Sequence, residues 1–211
     1  MIFKNRTDAG IRLAASLSEY AGTDSIVIAI PRGGVVIGCE VARALGLPLD
    51  VVVPRKIGAP GQPEYGIGAV AGEDICVLDE SVISYLHVSD QYIKEESERQ
   101  RKEIGRRVGA YRKDRPPLNL TEKTAILVDD GIATGYTTLA AMEEVRRKSP
   151  KKLVLAVPVA PPEVLDRLRT IADELVVLET PDPFYAVGSW YQEFDQVSDE
   201  EVIRLLAQRP A

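Results

Sequence analysis

One stretch of the sequence determines how the rest of the chain is interpreted, and it reads Ala125-Ile126-Leu127-Val128-Asp129-Asp130-Gly131-Ile132-Ala133-Thr134-Gly135-Tyr136-Thr137-Thr138. It begins with apolar residues typical of a buried strand and continues with two adjacent carboxylates and a loop rich in Gly and Thr. A helix is predicted from Thr137 to about Lys148, with an apolar face at Leu139, Met142 and Val145. A strand end, a short loop and the free N–H groups of a helix start together predict an anion-binding site.

The composition of this loop suits a phosphate group with two hydroxyl groups beside it. Gly131 and Gly135 let the backbone bend so that several N–H groups converge, and the Thr side chains add hydroxyl donors. Asp129 and Asp130 would repel a phosphate but suit vicinal hydroxyl groups, so the loop predicts a site for ribose 5-phosphate. The predicted binding residues of the loop are Asp129, Asp130, Gly131, Ile132, Ala133, Thr134, Gly135, Tyr136 and Thr137.

The same residues resemble a known signature. Four apolar residues, two acids and the loop Thr134-Gly135-Tyr136-Thr137 are similar to the phosphoribosyl-pyrophosphate (PRPP) motif of the type I phosphoribosyltransferases. The resemblance is strongest in residues 24–70 and 122–195, where the chain is similar to stand-alone bacterial phosphoribosyltransferase-like proteins without an assigned substrate. The other interpretation of the stretch is an ordinary strand, turn and helix with acidic turn residues.

This resemblance implies a reaction and its partners. Members of the family transfer the 5-phosphoribosyl group of PRPP to a nitrogenous base and release pyrophosphate, as in nucleotide salvage. PRPP and a nucleobase-like acceptor are then the expected partners, and we expect a homodimer. Mg²⁺ is the expected cofactor, bound mainly through PRPP and water because it favours phosphate oxygens and needs few protein ligands.

Strand and helix patterns alternate along the chain, with buried apolar strands predicted at 25–30, 49–54, 125–128, 152–159 and 174–178. This alternation predicts an α/β fold with a mainly parallel twisted sheet flanked by helices, as the type I phosphoribosyltransferase fold would require. We expect a single phosphoribosyltransferase domain over residues 1–211. It would include a hairpin of two short strands (about 66–71 and 75–78), a helical insertion at about 80–116 and a hood segment at about 180–197.

In parallel sheets of this kind, ligands bind beyond the carboxyl ends of the strands, where Pro31-Arg32-Gly33-Gly34 lies. Gly33 and Gly34 permit close approach of the backbone to an anion, and Arg32 adds a fork of donors. In the resembled family, the loop at this place holds the pyrophosphate of PRPP. We therefore predict that Arg32, Gly33 and Gly34 bind phosphate; a tight turn with a solvated arginine is the alternative.

Arg55 and Lys56 are predicted to end a strand of valines, an unfavourable place for two cations unless they face an anion. They resemble the cationic pair before the mobile catalytic loop of orotate and adenine phosphoribosyltransferases, so residues 58–64 are expected to form a lid. Cations there would stabilise the charge that develops on the departing pyrophosphate. The predicted catalytic residues are Arg55, Lys56, Asp129 and Asp130, and a surface loop with solvated charges is the alternative.

Aromatic residues late in the chain are candidates for the base site. Phe184-Tyr185-Ala186-Val187-Gly188 resembles the segment that stacks on the base in the hypoxanthine-guanine class, and Trp190 adds another ring. Phe184, Tyr185 and Trp190 are predicted to bind the base, with core packing as the alternative. However, Ala133 stands where that class has an acid, and it is similar to the loop of adenine or orotate enzymes. The sequence therefore singles out no one acceptor base.

Composition argues against several other classes of protein. With 45% hydrophobic and 27% charged residues the chain is ordinary for a globular protein, and its net charge of -6 makes general nucleic-acid binding unfavourable. Cys39 and Cys76 form neither a disulfide framework nor a metal motif. No apolar run approaches membrane-spanning length, and residues 1–10 lack the apolar core of a signal peptide. We expect a cytoplasmic protein.

Residues 99–115 concentrate positive charge, with eight Arg or Lys against two acids. Such a segment could cover an anionic site, bind RNA or contact an acidic partner, whereas the glutamates nearby favour a solvated helix face. Together with Ala133, this segment supports an alternative function: a PRPP-binding regulatory protein without turnover that also binds RNA.

Overall fold

The computed structural model describes residues 2–113 and 115–208, and two sheets form its framework. The strands are β1 (Ser25–Ala29), β2 (Leu49–Val51), β3 (Arg55–Ala59), β4 (Gln62–Ala71), β5 (Ile75–Leu78), β6 (Thr124–Val128), β7 (Lys152–Val159) and β8 (Glu174–Glu179). A five-stranded sheet has the order β2-β1-β6-β7-β8, with every neighbouring pair parallel. Strands β3, β4 and β5 form a separate antiparallel sheet.

Helices connect and cover these strands. They are α1 (Arg6–Ser16), α2 (Gly33–Leu45), α3 (Glu80–Tyr85), α4 (Asp90–Arg112), α5 (Tyr136–Arg147), α6 (Pro162–Arg169) and α7 (Asp199–Ala207), with short 3₁₀ helices at Ser18–Tyr20 and Val187–Trp190. Within the described part of the chain, no helix is both long and apolar enough to cross a membrane. Helices α3 and α4 occupy the segment that the sequence predicts to be a helical insertion.

Alternation of side chains along the parallel strands divides the core into two layers. On β1, Val27 and Ala29 join a cluster that includes residues of α1, α2 and α7, whereas Ile26 and Ile28 join a cluster with residues of α5 and α6. All five residues of β1 are buried. Because successive side chains of a strand point to opposite faces, a sheet covered on both faces needs continuous apolar strands. The predicted α/β fold with a mainly parallel sheet is therefore confirmed.

Residues 58–64, expected to form a loop, are a paired hairpin, and their expected role as a lid stays a prediction. These residues form the end of β3, a two-residue turn and the start of β4, with Ala59 paired to Gln62. Gly61 in the turn has φ +72°, and a Cβ on Gly58 would lie 2.5 Å from the Pro63 carbonyl oxygen. The Gly and Pro residues of this segment thus serve a tight hairpin with close backbone approach. Arg55 and Lys56 begin β3 and do not end the preceding strand.

The basic segment at 99–115 fastens α4 to the rest of the protein. Arg112 donates from Nε and Nη2 to the two carboxylate oxygens of Asp50 in β2, both at 2.9 Å. Arg106 donates to Asp199 of α7 at 2.9 Å, and Arg115 donates to the carbonyl oxygen of Leu49 at 2.8 Å. Several of these charges therefore lie in ion pairs within the chain, which leaves less positive charge for binding RNA.

We expect Asp50→Asn to destabilise the protein by about 3 kcal/mol, because breaking a buried ion pair leaves the other charge without a counter-ion. Asp50 is buried, and the side chain of Arg112 is 16% exposed. Asp24→Asn is the matched control, since Asp24 pairs with Lys123 while its side chain is 72% exposed; its cost should stay below about 1 kcal/mol. Equal losses of unfolding free energy in urea would contradict a structural role for the Asp50 pair.

Candidate active site

The two predicted phosphate loops meet beyond the carboxyl ends of β1 and β6, which are neighbours in the sheet. A Cβ on Gly33 would lie 1.9 Å from Oδ2 of Asp130, and one on Gly34 would lie 2.9 Å from Oδ1 of Asp129. Only residues without a side chain fit at these two positions without a shift of the acids. The structure thus places the start of α2 directly against the acid pair.

Asp129 and Asp130 lie side by side with different partners. Oδ1 of Asp129 accepts the N–H of Asp130 at 2.8 Å, while Oδ2 of Asp130 accepts a hydrogen bond from Nε of Arg6 at 2.7 Å. Burial, and then the neighbouring charge of Asp130, raise the pKa of Asp129 well above its ordinary value. Burial also raises the pKa of Asp130, and the Arg6 charge opposes that effect.

Sequence reasoning missed Arg6, which lies on α1 far from any motif. Its guanidinium stacks over the ring of Phe194 at 3.8 Å from the centroid and donates to the carbonyl oxygen of Asp195 at 2.7 Å. Tyr191 is buried, and its hydroxyl donates to the carbonyl oxygen of Asp130 at 2.5 Å. Residues 191–195 and α1 therefore hold the acid pair from the same side.

The loop before α5 presents unused donors. Gly135 is the N-cap of α5 with φ +80°, a conformation that favours glycine. Among the described residues, no backbone acceptor takes the N–H groups of Ala133, Thr134, Gly135, Tyr136 and Thr137. Converging free N–H groups at a helix start can bind a phosphate.

Two residues of this loop differ from the expected phosphate ligands. Ile132 is buried and its N–H donates to the carbonyl oxygen of Val159 at 2.9 Å, so that N–H is not available to a ligand. The hydroxyl of Tyr136 donates to Asp79, which leaves its N–H for the loop. Arg167 of α6 lies outside the predicted set, stacks on Tyr136 at 4.5 Å and donates to the carbonyl oxygen of Thr134 at 2.6 Å.

Arg55 and Lys56 do not act as a pair. Successive residues of a strand point to opposite faces, and the two side chains have different partners. Arg55 donates from Nε to Oε1 of Gln100 on α4 at 2.8 Å, whereas Lys56 donates to the carbonyl oxygen of Glu64 at 2.8 Å across the hairpin. Burial, and then repulsion from Arg107, lower the pKa of Arg55. Arg55 therefore faces other cations, while Lys56 holds the hairpin together.

The candidate base-binding rings occupy different environments. Phe184 and Trp190 are half-buried and pack against the hydrophobic core, whereas the side chain of Tyr185 is 84% exposed. Val187 of the hood segment also packs against the acid loop, since a Cβ on Gly131 would lie 2.5 Å from its Cγ1. Tyr185 is thus the ring that remains available for stacking on a ligand.

The fold and the site together define a class of protein. It is an α/β protein with an acid pair and a loop of free N–H groups at the carboxyl edge of a parallel sheet. A family model described as the phosphoribosyl transferase domain matches residues 2–189. The chain belongs to this phosphoribosyl transferase family, as the sequence predicts.

Relatives and solved structures agree with this assignment. Two Mycobacterium tuberculosis proteins, MT0597 and Rv0571c, provisionally named phosphoribosyl transferases, are each 42% identical over 205 residues, which is 97% of this chain and 46% of theirs. The chain thus spans about half the length of these relatives. TT1426 from Thermus thermophilus is 42% identical with a TM-score of 0.80, and the match covers 100% of both chains. A purine phosphoribosyltransferase from Pyrococcus horikoshii is 19% identical with a TM-score of 0.50, over 92% of this chain and 93% of that one, and shares the fold.

The raised pKa of Asp129 predicts a pH-dependent stability. Because the folded-state pKa exceeds the unfolded-state value, the ionised carboxylate destabilises the folded protein at high pH. This effect shrinks as pH falls below the folded-state pKa and disappears near the unfolded-state pKa. Asp129→Asn has no such charge. We expect the variant to be the more stable protein at about pH 9, with the difference shrinking toward about pH 5 in urea unfolding. A difference that stays constant over this range would contradict the raised pKa.

Proposed function

We propose that the protein transfers the 5-phosphoribosyl group of PRPP to a nitrogenous base and releases pyrophosphate, with Mg²⁺ bound to the substrate. One observation carries the proposal: the acid pair lies between an open N–H loop and a loop whose glycines touch its carboxylates. This arrangement provides separate sites for a phosphate, a diol and a second anionic group. The family to which the chain belongs supports the same class of reaction.

Each part of PRPP has a chemically suitable partner. The 5-phosphate would accept hydrogen bonds from the free N–H groups of residues 133–137. The two ribose hydroxyls would donate to the carboxylates of Asp129 and Asp130. Since Arg6 already donates to Asp130, the bound hydroxyl would share that carboxylate with Arg6. The pyrophosphate would lie toward Gly33, Gly34 and Arg32.

The reaction breaks the bond between C1 of the ribose and a pyrophosphate oxygen, and a bond from a base nitrogen to C1 replaces it. Positive charge develops on the ribose ring, while the leaving pyrophosphate takes the bonding electron pair. Fixed carboxylates beside the ring and fixed cations beside the leaving group stabilise both charges, and do so more in the transition state than in the ground state. Asp129, Asp130 and Arg55 would provide this stabilisation.

Mg²⁺ would be bound mainly by PRPP oxygens and water. Within residues 2–113 and 115–208, no group of three or more His, Cys, Asp or Glu residues is placed to hold a metal ion by itself. The carboxylates of Asp129 and Asp130 suit hydrogen bonds from ribose hydroxyls or metal-bound water. When bound, the ion would neutralise charge on the pyrophosphate.

A PRPP-binding regulatory protein without turnover is the second candidate. The observation that favours it is Ala133, because no carboxylate stands at this position to handle a proton of a purine base. RNA binding loses support, since several charges of the basic segment lie in ion pairs with Asp50, Glu103 and Asp199. The homodimer expected from the sequence stays a prediction.

The wild-type protein should release pyrophosphate from PRPP and Mg²⁺ in the presence of at least one base from a purine and pyrimidine panel. Asp130→Asn should weaken PRPP binding in calorimetry by about 1.5–3 kcal/mol, the cost of a lost charged hydrogen-bond partner, and leave phosphate binding nearly intact. Asp166→Asn is the charge-matched control, since the side chain of Asp166 is 90% exposed. Tight PRPP binding without turnover would favour the regulatory protein, and unchanged affinity in Asp130→Asn would refute the ribose assignment.

Tyr185→Ala should raise the Michaelis constant for the base and leave that for PRPP unchanged. Stacking on an aromatic ring contributes about 1–3 kcal/mol per base in single-stranded nucleic acids, which sets the expected size. Tyr85→Ala is the matched control, because this tyrosine is 81% exposed on α3. Trp190→Phe should instead lower stability, since Trp190 packs against the core. An unchanged Michaelis constant in Tyr185→Ala would place the base elsewhere.

A further inference from the structure

We propose that Arg107 of α4 joins Arg32 and Arg55 in a single anion-binding site for the pyrophosphate group of PRPP. This inference rests on the proposed function for the identity of the anion. Neither the sequence nor the phosphoribosyl transferase motif singles out Arg107, which lies in the helical insertion. The argument depends on where α4 places it, on unused donors and on the balance of charge.

One face of α4 passes over both predicted cations. Gln100, Arg107 and Tyr111 are spaced at i, i+7 and i+11, so they lie on the same face of the helix. Gln100 accepts the hydrogen bond from Arg55. The hydroxyl of Tyr111 donates at 2.6 Å to the same Asp199 oxygen that lies 3.8 Å from Nη1 of Arg32. Along this face, Arg107 therefore lies between Gln100 and Tyr111. The first is bonded to Arg55, and the second is bonded to the carboxylate that faces Arg32.

The three guanidinium groups keep most of their donors unused. Arg55 and Arg107 each donate only from Nε, to Gln100 and to Glu103, and the guanidinium of Arg32 makes no hydrogen bond with any residue that the structure describes. Arg107 is nevertheless largely buried, with 14% of its side chain exposed. The unused donors are open to solvent, because none of them is among the described side-chain atoms that are both buried and without a partner. An anion with several oxygens would satisfy these.

Charge at this place is unbalanced. Glu103 and Asp199 are the carboxylates that pair with Arg32 and Arg107 among the described residues, and Arg106 uses both of them as well. Repulsion from Arg107 and from Arg32 lowers the pKa of Arg55, in addition to burial. Arg99 and Glu96 also lie close to Arg55. Five cations around three carboxylates leave an excess of positive charge, which favours a polyanion.

The position of this cation cluster, defined as Arg32, Arg55 and Arg107, fits the leaving group. Arg32 directly precedes Gly33 and Gly34, whose backbone touches the acid pair predicted to bind the ribose. A pyrophosphate attached to C1 of that ribose would extend toward the cluster and away from the N–H loop at 133–137. Bidentate contacts from guanidinium groups suit phosphate oxygens.

Binding of inorganic pyrophosphate to the full chain, measured by calorimetry without a base, tests the proposal directly. Arg107→Gln should weaken pyrophosphate and PRPP binding by about ten- to a hundredfold, the effect of losing one charged donor, and should leave ribose 5-phosphate binding unchanged. Lys102→Gln removes one positive charge from an exposed position on another face of α4 and should change none of these affinities. Arg107→Lys keeps the charge and should recover part of the loss.

Each outcome has a distinct meaning. Equal losses for pyrophosphate and ribose 5-phosphate in Arg107→Gln would make the residue a structural support, and unchanged pyrophosphate affinity would remove it from the site; either result overturns the proposal. Absence of pyrophosphate binding by the wild-type protein would overturn it as well. A fourth outcome is pyrophosphate binding that depends on Arg107 but no turnover on any base. It would support the cation cluster and would refute only the transferase reaction.

Discussion

The close approach of the α2 backbone to the acid pair is the constraint on which the rest of the site depends. A Cβ at position 33 would lie 1.9 Å from Oδ2 of Asp130 and 2.8 Å from Nε of Arg6. A side chain there would displace the carboxylate and its hydrogen bond to Arg6. Since Arg6 also stacks on Phe194, the disturbance would spread to the hood segment. Glycine at this position therefore holds α1, α2 and the acid loop in one arrangement.

This arrangement separates charge into two poles. Asp129 and Asp130 form a half-buried negative pole, in which burial and then the charge of Asp130 raise the pKa of Asp129, and Asp130 receives one counter-ion from Arg6. Arg32, Arg55 and Arg107 form a positive pole, in which the charges repel one another. Each pole is unfavourable in the free protein, because like charges lie close together. This repulsion lowers the folding stability of the free protein. A ligand with hydroxyl groups at the acid pair and negative charge at the arginines would reduce the repulsion and raise the stability.

The sequence could predict the parts of the site that lie in contiguous segments. A strand end, two acids and a Gly-containing loop are neighbours along the chain, and local chemistry is enough to identify them. Arg6 could not be predicted, because it reaches the acid pair only through the packing of a helix distant in sequence. The same holds for the proposed role of Arg107. The hairpin at 58–64 was missed for another reason. Gly and Pro are equally typical of a mobile loop and a tight turn, and only the backbone approach of Gly58 to Pro63 distinguishes them.

The separation of the poles also determines which ligand can use the whole site. Inorganic phosphate would fill only the open N–H loop at 133–137, and ribose 5-phosphate would add the acid pair. Free pyrophosphate would use only the cations and would leave the acid pair and the N–H loop without a partner. A ligand that carries a phosphate, a diol and a polyanion in that order satisfies every group without placing like charges together. PRPP has this order, and the proposed reaction would break it at the bond that joins the part beside the acid pair to the part beside the cations.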